Sequence, residues 1–151
     1  MSKRTPLVAL VKVTKYLTFK DIYNAMTPMS MEVKIMDIYK GKEIRKKITV
    51  WGDIGNLCRP YLKIFKEGQF YVIAFDNGNY SGVHSNEKDT DYSVFNCGCY
   101  WLTVDMEQRK AMGDVDSEDR ISSYVDLKKL KPKLVKMATN MSTAKSRASV
   151  Y

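Results

Sequence analysis

The sequence predicts a mainly β domain of the α+β class: a small closed barrel of five or six strands with a helix after it. Three observations carry this. Apolar and polar residues alternate through most of the first 105 positions, the period of a half-buried strand. Glycines and turn formers punctuate that alternation at Gly41, Gly52, Gly55 and Gly68. The period then changes to a helical one in the last third. Strands followed by helix indicate α+β, and closure into a small barrel is the compact way to remove strand edges.

Leu7 to Leu17 reads as the first strand. Leu7, Ala9, Val11 and Val13 alternate with Val8, Leu10, Lys12 and Thr14, so its first half is apolar on both faces. Phe19 to Pro28 reads as a long connection, because Thr27-Pro28 favours extended or turn geometry. Met29 to Tyr39 is a second strand and Ile44 to Trp51 a third, joined as a hairpin at Lys40-Gly41-Lys42. Gly52 to Asn56 is a loop, Cys58 to Phe65 is irregular around Pro60, and Lys66-Glu67-Gly68 is a turn. Phe70 to Phe75 is a short buried strand. The polar stretch Asp76 to Asp91 leaves room for a short strand around Tyr80 to His84. Tyr92 to Val104 is a further strand, with Phe95, Cys97, Cys99 and Trp101 on one face. Asp116 or Ser117 then caps a helix whose stripe is Ile121, Tyr124, Val125 and Lys128, and Pro132 breaks or kinks it. Leu134, Val135, Ala138 and Met141 continue a second helical piece. Residues 1–141 form one domain and 142–151 a flexible tail.

The chain has 151 residues, enough for one real core, and a net charge of +8. That charge is uneven. Residues 1–68 carry 14 Lys/Arg against 6 Asp/Glu, residues 69–126 carry 4 against 11, and residues 127–151 carry 7 against none. Such asymmetry marks either a polyanion or acidic-partner site or, more simply, a solvated basic helix and tail. No apolar run is long enough to span a membrane. Leu7 to Val11 is too short, and too soon interrupted by Lys12 and Lys15, for a signal-peptide core. The protein is cytoplasmic as written, or extracytoplasmic if a leader was trimmed.

The chemistry-bearing residues are sparse. His84 is the one histidine, set in a polar loop, and a cysteine nucleophile at Cys58, Cys97 or Cys99 would need it close by. The same residues number enough for zinc, but Cys97-Gly98-Cys99 is tighter than usual zinc spacing. Phosphate-binding glycine loops and calcium-loop spacing are both absent, and Asp114 to Asp119 reads as acids at a helix start. The expectation is therefore no catalytic residue, no metal and no cofactor. Single-stranded nucleic acid is the rival ligand: Arg45, Lys46 and Lys47 sit beside Trp51, the combination of charge and stacking ring such barrels use.

The order of these features resembles the tissue inhibitor of metalloproteinases family and its netrin-like relatives, in particular bacterial members. The matching elements are Ile38-Tyr39-Lys40-Gly41, Ile48-Thr49-Val50, Cys58, Gly68 to Ala74, Cys97 and Tyr100-Trp101-Leu102, across residues 7–105. The resemblance implies a five-stranded OB-fold-like closed barrel, a place outside the cytoplasm, and action by binding proteins rather than by catalysis. Family inhibitors begin Cys-x-Cys and chelate a protease zinc through the first cysteine, whereas this sequence reads Met1-Ser2-Lys3. Zinc chelation is therefore not expected. The two body cysteines, left without those partners, imply a Cys58 disulfide to Cys97 or Cys99. The implied partner is a protein, with a protease as one class, met by a monomer through Ser2, Lys3, Asp53, Asn56 and His84.

Overall fold

In a computed structural model, the described residues are 5–78, 84–95, 100–113 and 123–134. They form β1 (Leu7–Ile22), β2 (Ala25–Lys40), β3 (Lys47–Trp51), a 3-10 turn (Leu62–Ile64), β4 (Phe70–Asn77), β5 (Tyr92–Ser93), β6 (Trp101–Asp105), β7 (Lys110–Gly113), β8 (Ser123–Asp126) and a helix α1 over 127–134. The strand order β1-β2-β3-β5-β4, with β4 returning to β1, closes a five-stranded barrel. The β3–β5 pairing is parallel; the other four joints are antiparallel. β6, β7 and β8 extend the sheet from β4. The OB-fold-like barrel with a C-terminal helix is thus the architecture found.

Two apolar layers explain why β1 begins apolar on both faces. Leu7, Ala9, Val11 and Val13 point inward with Met31, Val33, Ile48, Val50, Tyr71, Ile73 and Phe75. Leu62 and Phe65, both fully buried, join this inner layer from the 3-10 turn between β3 and β4. Phe65 meets Tyr71 and Trp101 edge-on, each at 5.3 Å between ring centroids. The second layer lies outside the barrel, where Val8, Leu10, Val72, Ala74, Leu102 and Val104 are covered by Leu127 and Leu130 of α1. Burying each of these valine and leucine side chains contributes about 1.5–3 kcal/mol.

Several boundaries differ from the sequence expectations. The stretch Phe19 to Pro28 is strand, not connection: β1 and β2 run on through Phe19↔Pro28 and Ile22↔Ala25. They turn at Tyr23-Asn24, both at positive φ (53° and 63°), the geometry of a tight hairpin turn. Pro28 is tolerated because β2 pairs with β3 only from Ser30, leaving that edge without a ladder to feed. β3 starts at Lys47 rather than Ile44, since Glu43 captures the Arg45 backbone and side chain locally. Gly41, at φ +84°, is required at the corner, as a Cβ there would run into the Pro6 carbonyl.

Cys58 to Phe65 is not wholly irregular but holds the 3-10 turn. The strand expected over Tyr92 to Val104 is broken into β5 and β6. Tyr124 and Val125 lie in β8, not in a helix; α1 starts after Asp126, whose Oδ1 accepts the Lys128 N–H at 2.8 Å as an N-cap. Helix continues through Pro132 to residue 134. Lys128, whose carbonyl loses that proline's N–H, is exposed and so open to water. The expected helix cap at Asp116 or Ser117, Ile121, the second helical piece beyond Leu134, the 142–151 tail and all of the Tyr80 to His84 strand except His84 lie outside the described residues.

Candidate functional site

One end of the barrel carries a polar rim and a projecting ribbon. The rim is built where β3 ends. Trp51 turns its indole inward and Nε1 donates to Asp91 Oδ2 at 2.9 Å. The same carboxylate oxygen accepts the Lys88 N–H at 3.0 Å, which holds the turn before β5. His84 stacks on Trp51, ring centroids 4.7 Å apart, with Nε2 3.0 Å from the Gly52 carbonyl. A carbonyl only accepts, so Nε2 carries the proton and donates. Arg59 and Glu87 meet as a two-pronged pair, both contacts at 3.0 Å, with side-chain exposures of 8% and 0%. Asp53 Oδ1 accepts the N–H groups of Asn56 (3.1 Å) and Leu57 (2.6 Å), closing the loop after β3.

This geometry gives two of the five partner-binding candidates a part in the scaffold. Asp53 and His84 are buried, and each holds a loop rather than facing solvent. Asn56 is exposed, beside a cavity of about 330 Å³ lined also by Leu57, Cys58, Asp76, Ser93 and Phe95. Cys58 is exposed on that loop. Ser2, Lys3, Cys97 and Cys99 lie outside the described residues, and with them the implied disulfide. Among the described residues no buried side-chain nitrogen or oxygen lacks a hydrogen-bond partner, and no group of three or more His, Cys, Asp or Glu is arranged to hold a metal ion. No helix among them is long and apolar enough to cross a membrane.

In the basic hairpin Arg45 and Lys47 are each paired with a carboxylate. Arg45 grips Glu43 through Nε (3.0 Å) and a terminal nitrogen (2.6 Å), and also donates to the Thr90 carbonyl at 2.8 Å. Tyr92 donates its hydroxyl to the same Glu43 carboxylate at 2.8 Å. The Arg45 hydrogen bond holds the Glu43 carboxyl down at about 2. Lys47 pairs with Glu32 at 3.0 Å. Trp51, at 5% exposure, is inside the barrel rim and offers no face for a base to stack on. Lys46 is exposed.

The ribbon was not singled out by sequence. β1 beyond Lys12 leaves β4, and β2 before Ser30 has not yet met β3, so residues 17–22 and 25–28 are strand-paired on one side only. It exposes Leu17 (39%), Phe19 (52%), Tyr23 (89%) and Met26 (69%). The signal available was Leu17 and Phe19 keeping the two-residue period past Thr14. Comparison of the chain with protein-family models, with curated proteins and with solved structures finds no match.

Proposed function

We propose that this domain is a non-catalytic protein-binding module that meets its partner through the β1–β2 ribbon. The carrying observation is the concentration of exposed large apolar side chains on a ribbon outside the barrel: Leu17, Phe19, Tyr23 and Met26. Tyr23 stands at the tip in the left-handed region that bulky residues avoid, a strain commonly found at functional positions. Strand edges paired on one side leave backbone donors and acceptors that another polypeptide satisfies and hydrocarbon does not, which favours a protein over a lipid surface. The resemblance to the metalloproteinase-inhibitor and netrin-like proteins supports a protein-binding role, though not this surface, and adds an extracytoplasmic setting, with a protease as one class of partner. The alternative of nucleic acid at Arg45, Lys46, Lys47 and Trp51 is weakened by the buried indole and the neutralised arginine.

The test is a photo-crosslinking amino acid placed at Tyr23 in one sample and at Asn56 in another, in cells of the source organism. The ribbon reading expects one dominant adduct with a different protein from position 23, lost in the Phe19→Ser/Met26→Ser background. An adduct from position 56 alone moves the contact to the loop after β3. Only self-adducts from position 23 would make the ribbon a dimer contact. Either result overturns the proposal.

A further inference from the structure

The outer face of β1, β2 and β3 carries a second feature, unrelated to the ribbon. Register aligns Lys12 with Lys34 and Lys34 with Lys47, so three lysines stand in one row across three adjacent strands. The inward neighbours Val13, Val33 and Ile48 form the matching row of the core, which fixes the lysines on the outside. The next outer row is Lys15, Glu32 and Thr49. Four cations thus face one acid. That acid is committed: Glu32 accepts from Thr14 at 2.7 Å and Lys47 at 3.0 Å. Lys12 lies over the Phe70 ring at 5.5 Å. Lys34 is exposed and makes no ion pair among the described residues.

Like charges directly opposite one another on a sheet destabilise it, and cross-strand Cβ atoms sit only about 5 Å apart. Neighbouring positions of the row are thus closer than the Debye length at physiological salt, so bulk ions do not fully screen Lys34 from the lysine on either side. Glu32 offsets Lys47 and the Phe70 ring engages Lys12, but Lys34 between them has no ion pair among the described residues. The row is a local cost that a bound polyanion would remove. We propose that Lys12, Lys34 and Lys47 form a binding row for a linear chain of phosphates, read by charge and not by base.

The chemistry of the face selects that ligand. At the row β1 and β2 are paired on both sides, and β3, which meets β5 only at Val50 and Trp51, is paired with β2, so a peptide adding as a strand would lie beside Lys47 in the sheet plane and not across the face where the lysines stand. Lysines act as point charges on flexible stems and can follow a phosphate repeat without the fixed fork of arginine. Trp51 is buried, and among the described residues the ring found against the row is Phe70, itself engaged by Lys12, so base stacking is not provided for there. Two sources supply the same chemistry: the backbone of a single-stranded nucleic acid and an inorganic polyphosphate.

Fluorescence anisotropy with a labelled oligothymidylate of about 15 nucleotides tests this, with polyphosphate and polyglutamate as competitors. Binding is expected at about 20 mM salt, with a log–log salt slope near −2 for three phosphate contacts on a single strand. The Lys12→Gln/Lys34→Gln/Lys47→Gln variant should lose roughly tenfold or more in affinity and flatten that slope. A Lys88→Gln/Lys110→Gln/Lys129→Gln variant, with the same net charge, should lose little. Competition by polyphosphate supports the row; binding of polyphosphate without oligonucleotide also supports it and names the source. No binding of either at low salt overturns it. So does an equal loss in the control variant, oligonucleotide binding that polyphosphate cannot displace, or displacement by polyglutamate as effective as by polyphosphate. The row variant removes the repulsion but also the solvent-screened Lys47–Glu32 pair, so its melting midpoint should change little, and a thermal melt beside each titration shows that the variant is folded at the assay temperature.

Discussion

The rim and the ribbon leave the same end of the barrel, where Trp51 pairs with Ser30, yet they treat side chains in opposite ways. The rim is polar and closed: Trp51, Asp53, Arg59, His84, Glu87 and Asp91 are buried and serve one another or the backbone between them. The ribbon is apolar and open, with Tyr23 nearly fully exposed. A chemist scanning for reactive letters would pick the rim, since it holds the histidine, the arginine and the acids. Their hydrogen bonds show that these groups organise loops. Between rim and ribbon, the large side chains left mostly to solvent are the ribbon's hydrophobic ones, so the difference locates binding where chemistry looks plainest.

The comparison breaks first at Arg59. Arg59→Met leaves the Glu87 carboxylate buried without its guanidinium and should cost about 3–5 kcal/mol in urea unfolding. The double variant Arg59→Met/Glu87→Leu should recover most of that loss, because both charges leave together. A double variant as weak as the single would mean the rim is held by something other than this pair. Next comes Trp51→Phe, which keeps a ring against His84 but removes the indole donor to Asp91. It should cost about 1–2 kcal/mol, since Asp91 keeps its bond from the Lys88 N–H. An unchanged midpoint would make Trp51 a packing residue only.

The barrel was legible because its signals are local. Alternation in Leu7 to Val13, Met29 to Tyr39 and Phe70 to Phe75 needs no partner to be seen, and Gly41 and Gly68 hold the positive φ their turns require. The ribbon was not legible, because Tyr23-Asn24 lacks the glycine of a familiar hairpin turn and Thr27-Pro28 reads as a break. β8 reads as helix in the sequence because Tyr124 and Val125 satisfy either period over so few residues. The rim was half legible. Asp53 and His84 could be picked out as polar loop residues, but the Gly52 carbonyl that turns His84 inward is 32 residues away, and Glu87 reaches Arg59 across 28. Direction in or out depends on such long-range partners, and a single sequence does not pair them.

A smaller effect comes from the hairpin, with the sign set by Glu43. Its carboxyl falls from an ordinary value of 4.5 to about 2 in the fold, chiefly through the Arg45 hydrogen bond. A depressed acid contributes stability that is complete above the unfolded value and lost as pH falls through the folded one. Thermal midpoints should therefore decline between about pH 4.5 and pH 2, and Glu43→Gln should flatten that limb. Arg45 is 39% exposed and solvent screens the pair, so the loss near neutral pH should be about 1 kcal/mol or less. A decline unchanged in the variant would assign the acid limb to other carboxylates.

The smallest effect on stability should come from the ribbon, and its smallness is the point. Phe19→Ser and Tyr23→Ser remove side chains that are half and nearly fully exposed, so little burial is lost. Each should shift unfolding by no more than about 0.5 kcal/mol. Tyr23→Gly should stabilise by a few tenths to about 1 kcal/mol, since glycine takes φ +53° without strain. Large losses in urea titrations of the serine variants would show that the ribbon packs on the barrel and is part of the core. Near-neutral values, together with loss of the crosslinked partner, would show the reverse: that a strained tyrosine and its apolar neighbours are held out from the fold at the fold's own small expense, in a place where only another molecule can use them.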